Sequence, residues 1–155
     1  MRTLHQWLNE YGESHTHETN KLIHWICVPA IFFSITGMLY CVKLPWLLTG
    51  NLQLNVAMIV LLLTTIYYLS LSLKIGIGML LFGILCLALC YAAETFLPFP
   101  LWLFCIIIFI IAWIGQFYGH KVEGKKPSFF KDIQFLLIGP MWLMSFVYKN
   151  LGISF

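Results

Sequence analysis

The sequence has very little charge for its length. Only 10% of its 155 residues are Asp, Glu, Lys or Arg, whereas 61% are hydrophobic. A water-soluble domain of this size cannot bury so much apolar surface, so an ordinary soluble fold is excluded and lipid is expected around the chain. The net charge of +3 is small. Because no basic face interleaved with stacking aromatics is present, we expect no nucleic-acid partner.

Cysteine motifs are also missing. The five cysteines lie in apolar runs without a CxxC pair, and their odd number excludes a complete disulfide framework. We predict that all five are small core residues. They are Cys27, Cys41, Cys86, Cys90 and Cys105. The charged segment and small-residue cleavage site of a signal peptide are absent too, so the first apolar run is expected to remain as a membrane helix.

Long apolar runs, by contrast, are abundant. Four of them reach the roughly 18 to 20 residues that a helix needs to cross a bilayer. A fifth is interrupted by Gly139-Pro140, which fits a kinked span, a re-entrant hairpin or an interfacial helix. The runs are about 22–42, 54–73, 75–93, 99–118 and 133–150. They are continuous rather than alternating, which makes strands improbable.

These runs predict an all-α fold in one integral-membrane domain, 1–155. It is a polytopic helical bundle with four transmembrane helices plus a fifth kinked, re-entrant or interfacial helix. Alternating spans put seven basic residues on one side and only Lys43 opposite, while the fifth segment leaves the side of Lys149 open. This bias predicts a cytoplasmic N-terminus and a cytoplasmic 119–131 loop. The seven are Arg2, Lys21, Lys74, Lys121, Lys125, Lys126 and Lys131. The compact chain favours a bacterial inner membrane, or the endoplasmic reticulum membrane in a eukaryote.

The same alternation of spans brings two histidine-bearing segments to one face of the membrane. These segments, 11–24 and 116–131, contain His15, His17, His24 and His120. Neutral imidazole is a ligand for Fe, Zn, Cu and Ni, so the pattern favours a divalent metal site at the mouth of the bundle. A histidine at a membrane interface can also be an amphipathic residue facing lipid headgroups. We interpret His5 and His17 in that second way.

Amide side chains precede two of these histidines by one helical turn. Asn20 lies four residues before His24, and Gln116 lies four residues before His120. Either amide could orient a ring nitrogen or bind a metal-held water. Glu123 could be an outer hydrogen-bond acceptor or the carboxylate of a two-His-one-carboxylate site.

Two segments of the chain resemble a known family. They are YGESHTHETNKLIHWICVP, at 11–29, and IGQFYGHKVEGKKPSFFKDIQFLLIGP, at 114–140. Together they are similar to the small membrane-embedded 2-hydroxy fatty acid dioxygenases, a family with a fungal member in phytosphingosine degradation. The resemblance spans almost the whole chain and keeps motif order, helix count and intervening length.

The resemblance implies the site residues. The first family motif corresponds to Tyr11, His15, Asn20, His24 and Pro29, and the second to Gln116, Gly119, His120, Glu123 and Pro127. Together with the spans that must meet, this makes His15, His24 and His120 the expected metal ligands. Asn20, Gln116 and Glu123 are the expected supporting catalytic residues. The histidine at position 17 departs from the family pattern.

The activity that the resemblance implies is an iron(II)-dependent α-oxidation. A long-chain 2-hydroxy fatty acid and dioxygen give the acid one carbon shorter, carbon dioxide and water. An α-hydroxy carboxylate can chelate a metal, and three histidine ligands leave open positions for it and for dioxygen. The reaction balances without a reductant, and the chain lacks a nucleotide-binding fingerprint. The tail is expected among the helices, with the carboxylate near Lys21, Lys125 or Lys126.

Two other functions fit the same residues. A zinc-dependent membrane lipid hydrolase could use a histidine cluster to activate water. A non-catalytic membrane scaffold could carry the histidines only as interfacial residues. Metal content and the dependence of activity on oxygen separate the three possibilities.

Overall fold

Helices dominate the structure, a computed structural model that describes residues 3–49, 52–124 and 129–155. The described helices are α1 (Leu4–Gly12), α2 (Glu18–Tyr40), α3 (Val56–Leu71), α4 (Leu73–Phe96), α5 (Leu101–Glu123) and α6 (Phe129–Asn150). A short antiparallel hairpin of β1 (Lys43–Thr49) and β2 (Leu52–Asn55) joins α2 to α3. The helical class predicted from the sequence is confirmed.

Three of the described helices are long and apolar enough to cross a membrane. They are α2, α4 and α5, with 23, 24 and 23 residues. Helix α3 is apolar but has only 16 residues, which at 1.5 Å per residue spans about 24 Å of a roughly 30 Å hydrocarbon core. It stops because Ser72 is extended and caps α4 by accepting a hydrogen bond from Ile75 N. The described part of the chain therefore belongs to a membrane protein with three candidate spans, and the predicted four plus a fifth are not confirmed.

The fifth apolar segment forms a single helix rather than a re-entrant hairpin. Helix α6 continues through Pro140, so the hairpin alternative is wrong. Helix α6 packs against α1, which the sequence analysis did not identify. Helix α1 begins with a capping box between Thr3 and Gln6, and its residues Leu4 and Leu8 are buried against α6. Both the capping box and the apolar spacing are visible in the sequence.

The hairpin corrects the expectation that strands are improbable. That expectation considered only the long apolar runs, whereas the strands form in the connection between two helices. Pro45 interrupts the helical hydrogen-bonding pattern there, and a strand with no neighbour on one edge tolerates a proline. Trp46, Leu47 and Leu48 of β1 are exposed.

Helices α2 and α5 run antiparallel and are held close by glycines facing cysteines. A Cβ on Gly115 would lie 2.7 Å from Cys27 Sγ, and one on Gly37 would overlap Cys105 Sγ. Small residues let helix backbones approach closely in membranes, where packing rather than the hydrophobic effect drives association. All five cysteines are unpaired, and all except Cys41 are buried. The prediction that they are core residues is thus confirmed for the four buried ones.

We expect Gly37→Ala to destabilise the α2–α5 pair, because the added methyl group collides with Cys105 Sγ. Overpacking of this kind costs about 1–3 kcal/mol. Thermal unfolding of the detergent-purified protein measures the loss. In the Cys105→Ala background the sulfur is absent, so adding Gly37→Ala there should cause only a small further loss of stability. Equal losses in the presence and absence of the Cys105 sulfur would contradict the proposed contact.

Candidate metal centre

Three buried histidines meet where α2 begins and α5 ends. His15 lies in the connection between α1 and α2, His24 in α2 and His120 in α5, and one nitrogen from each lies within 4.8 Å of the others. Their side chains are 2%, 0% and 8% exposed, respectively. His5 and His17 are exposed and lie outside this cluster. The structure therefore brings together the three histidines that the motifs singled out.

Main-chain carbonyl groups set the orientation of two of the rings. His15 Nδ1 lies 2.6 Å from the Tyr11 carbonyl oxygen, and His24 Nδ1 lies 2.8 Å from the Asn20 carbonyl oxygen. A carbonyl oxygen only accepts hydrogen bonds, so each Nδ1 is the protonated nitrogen and each Nε2 presents a lone pair. The four-residue spacing makes the Asn20 side chain a candidate for this role. The structure assigns it to the Asn20 main chain.

The arrangement of these lone pairs suits a cation. His15 Nε2 and His24 Nε2 are 2.9 Å apart. With both Nδ1 atoms protonated, two neutral rings would direct lone pairs at each other across this distance and repel. A divalent metal coordinated by both nitrogens removes the repulsion, and neutral imidazoles are suitable ligands for Fe, Zn, Cu and Ni. The donor set therefore fits a metal, without distinguishing among these ions.

Glu123, at the last turn of α5, ties that helix to the segment carrying His15. Its Oε1 accepts from Thr16 N at 2.9 Å and from the Thr16 hydroxyl, and its Oε2 accepts from His17 N at 2.9 Å. Both carboxylate oxygens thus face main-chain and hydroxyl donors of the α1–α2 connection. Of the two roles considered for Glu123, this geometry favours the hydrogen-bond acceptor over the metal ligand.

Asn20 extends the same network into the protein. Its side chain is fully buried, and its Nδ2 donates to Glu123 Oε2 at 3.1 Å and to the Ser14 carbonyl at 3.4 Å. Its Oδ1 has no hydrogen-bond partner in the described residues and lies where a Cβ on residue 119 would be. Gly119 is therefore needed for Asn20 to fit between α2 and α5. The glycine of the second motif has a steric explanation.

The remaining motif residues are less closely connected. Gln116 is half-buried one turn before His120, and within the described part of the chain its side chain makes no hydrogen bond. It therefore does not orient a ring in the way the spacing suggested. Lys125, Lys126 and Pro127 lie outside the described residues. Lys21, the other candidate for binding a carboxylate, is half-buried in the first turn of α2.

Tyr11 of the first motif and two aromatic residues of α6 that the motifs did not single out form an apolar wall beside the cluster. The Tyr11 ring stacks on the His15 ring with centroids 4.2 Å apart and planes 6° from parallel. The ring centroid of Trp142 in α6 lies 5.5 Å from that of His15, and the ring centroid of Phe135 lies 5.2 Å from that of Tyr11. Phe135 and Trp142 are seven residues apart, a spacing that puts both on one helix face. That spacing was the available signal for a role of α6 in the site.

The fold and the cluster define a class, a helical membrane protein with a buried three-histidine site. Residues 1–151 match the family model described as 2-hydroxy-palmitic acid dioxygenase Mpo1-like, and the chain belongs to that family. The chain is 34% identical over 149 residues to the 2-hydroxy-palmitic acid dioxygenase MPO1 of Saccharomyces cerevisiae. The aligned residues make up 94% of this chain and 80% of the yeast protein. The resemblance identified from the sequence is confirmed. No solved structure matches the chain significantly.

Proposed function

We propose that this protein is an iron(II)-dependent dioxygenase of fatty acid α-oxidation. It converts a long-chain 2-hydroxy fatty acid and one dioxygen to the fatty acid one carbon shorter, carbon dioxide and water. The observation that carries the proposal is the buried cluster of His15, His24 and His120, with two Nε2 lone pairs converging at 2.9 Å. Family membership and the name of the yeast relative support the substrate class.

Each part of the site has a stated task in this proposal. The three imidazoles hold the metal, and the carbonyl oxygens of Tyr11 and Asn20 keep two of the rings in the required tautomer. Iron(II), when bound, supplies the redox chemistry that allows the hydroxy acid to react with dioxygen. The Tyr11 and Trp142 rings cover the His15 side of the cluster and restrict water there.

Substrate binding and location complete the proposal. The carboxylate of the acid lies near Lys21 at the polar mouth, and the acyl tail extends among the helices. The N-terminus and the histidine cluster face the cytoplasm, in a bacterial inner membrane, with membrane lipids around a single domain. The basic bias of the loops supports this orientation.

The reaction itself is the first test. We expect the purified, iron(II)-loaded protein to convert 2-hydroxypalmitate to the fifteen-carbon acid with stoichiometric oxygen uptake and no added reductant. Palmitate should be inert, because it lacks the hydroxyl group that completes a chelate with the carboxylate. Mass spectrometry of the product together with an oxygen electrode measures both quantities.

The controls separate this reaction from the two alternatives. Omission of oxygen should stop turnover, and zinc substituted for iron should not support it. Hydrolysis of a lipid ester by the zinc-loaded protein without oxygen would indicate the hydrolase instead. A protein that binds no metal stoichiometrically would fit the scaffold, and equal turnover of palmitate and 2-hydroxypalmitate would eliminate the chelate.

A further inference from the structure

An apolar cavity of about 130 Å³ lies among α2, α3 and α6. Eight of its lining residues are aliphatic or aromatic and two are threonines, of which Thr64 donates its hydroxyl to the Leu61 carbonyl within its own helix. The lining therefore offers a hydrocarbon surface with little competing polarity. The lining includes Phe32 and Leu39 on α2 and Val60 on α3.

The cavity lies along the same helix that carries His24 into the metal centre. Phe32 and Leu39 follow His24 by eight and fifteen residues, which corresponds to roughly 12 Å and 22 Å along α2. At 3.6 residues per turn, both positions lie within about a quarter turn of His24 around the helix. The cavity thus begins about two turns beyond the cluster, on the same side of α2.

We propose that this cavity holds the distal end of the acyl tail and thereby sets the chain length of the substrate. This proposal rests on the proposed function, which puts the head of the 2-hydroxy acid at the histidines. With carbon–carbon bonds of ~1.5 Å, an extended sixteen-carbon chain reaches roughly 19 Å, which ends between Phe32 and Leu39. A cavity of this size accommodates a group about as large as benzene. It therefore holds the last few carbons rather than the whole tail.

Phe32 is the α2 lining residue of the cavity that lies nearest to His24 along the helix. It lines the cavity, is 9% exposed and packs against Phe82 with ring centroids 5.0 Å apart. Val28, one turn nearer to His24, is 6% exposed and belongs to the same buried core. A tail that runs from the histidines to the cavity displaces the Phe32 ring, so this side chain is the point at which long chains are admitted.

Filling the cavity from α3 tests the proposal. Val60 is half-buried. The larger side chain of Val60→Phe therefore fills part of the cavity without entering the tightest part of the core. Burial of each methylene changes affinity roughly fourfold. We therefore expect the ratio of kcat/KM for the sixteen-carbon over the ten-carbon 2-hydroxy acid to fall at least tenfold. The matched control Leu62→Phe, two residues away and 61% exposed, should leave the ratio within about twofold of wild type.

A second variant and a labelling measurement test the same proposal independently of whether Val60→Phe folds. Val60→Ala enlarges the cavity and should shift preference toward eighteen carbons, which covers the case in which Val60→Phe does not fold. A 2-hydroxyhexadecanoic acid with a photoreactive diazirine at its tail end should label 32–39 or 57–64. An unchanged chain-length profile in a folded Val60 variant, or labelling confined to residues outside the cavity, would overturn the proposal. If 2-hydroxy acids label the cavity but the wild-type protein does not oxidise them, the cavity is still a binding site for the tail, and the proposed function is wrong.

Discussion

Replacing His24 with alanine is expected to remove the bound metal and all measurable α-oxidation. The side chain is fully buried and its Nε2 lies 2.9 Å from that of His15, so alanine leaves the metal without one of its three nitrogen ligands. Changing a group that only orients a ligand typically costs ~10 to 100-fold in affinity or activity, so loss of a ligand should exceed that range. Metal analysis of the purified variant, with oxygen uptake on 2-hydroxypalmitate, measures both losses.

The other histidines supply the comparison. His15→Ala and His120→Ala should behave like His24→Ala, since all three offer a nitrogen to the same cluster. His5→Ala should retain metal and activity. His17→Ala should do so with slightly lower stability, because His17 Nδ1 accepts a hydrogen bond from Thr19 N at the start of α2 and a lost cap costs about 1 kcal/mol. Full metal content in His120→Ala, together with metal loss in His17→Ala, would show that the ligand set is wrong.

The location of the cluster was predictable, because hydropathy shows where the apolar helices begin and end and therefore which of their ends lie on the same face. Apolar runs and loop charges indicated that the start of one helix and the end of another meet, and the structure brings His24 and His120 together accordingly. The number of spans was less predictable. The sequence separates the runs 54–73 and 75–93 close to Ser72, where the structure divides α3 from α4. It does not show that the first of these runs begins within β2, which leaves α3 with only 16 residues.

The supporting contacts could not be predicted from the sequence, because their partners are far apart in the chain. Glu123 accepts hydrogen bonds from residues more than 100 positions earlier, and no local pattern specifies which donors it meets. The tautomer of His24 depends on a main-chain carbonyl, which every residue possesses. Trp142 reaches His15 only because α6 packs on α1, a helix that the apolar runs did not reveal.

Glu123 is the position where a small chemical change should have a large effect on the site. We expect Glu123→Gln to weaken metal binding and lower kcat/KM by ~10 to 100-fold. Two main-chain N–H groups, from Thr16 and His17, point at the carboxylate, and a glutamine amide presents its own donor to one of them. The connection that carries His15 would then lose charge-assisted hydrogen bonds and hold the ring less firmly.

Iron(II) titration, kcat and KM on 2-hydroxypalmitate, and thermal unfolding should be measured together on the folded variant. A merely structural role would lower the unfolding temperature and leave the metal affinity of the folded fraction unchanged, whereas a positioning role lowers that affinity. Glu18→Gln is the matched control, since Glu18 is an exposed carboxylate in the first turn of α2. Complete metal loss in Glu123→Gln, as severe as in His24→Ala, would instead make the carboxylate a ligand. Hydrogen bonds that now occupy the two carboxylate oxygens would then have to break when metal binds. The variant therefore decides whether Glu123 keeps its hydrogen bonds to the α1–α2 connection or exchanges them for a bond to the metal.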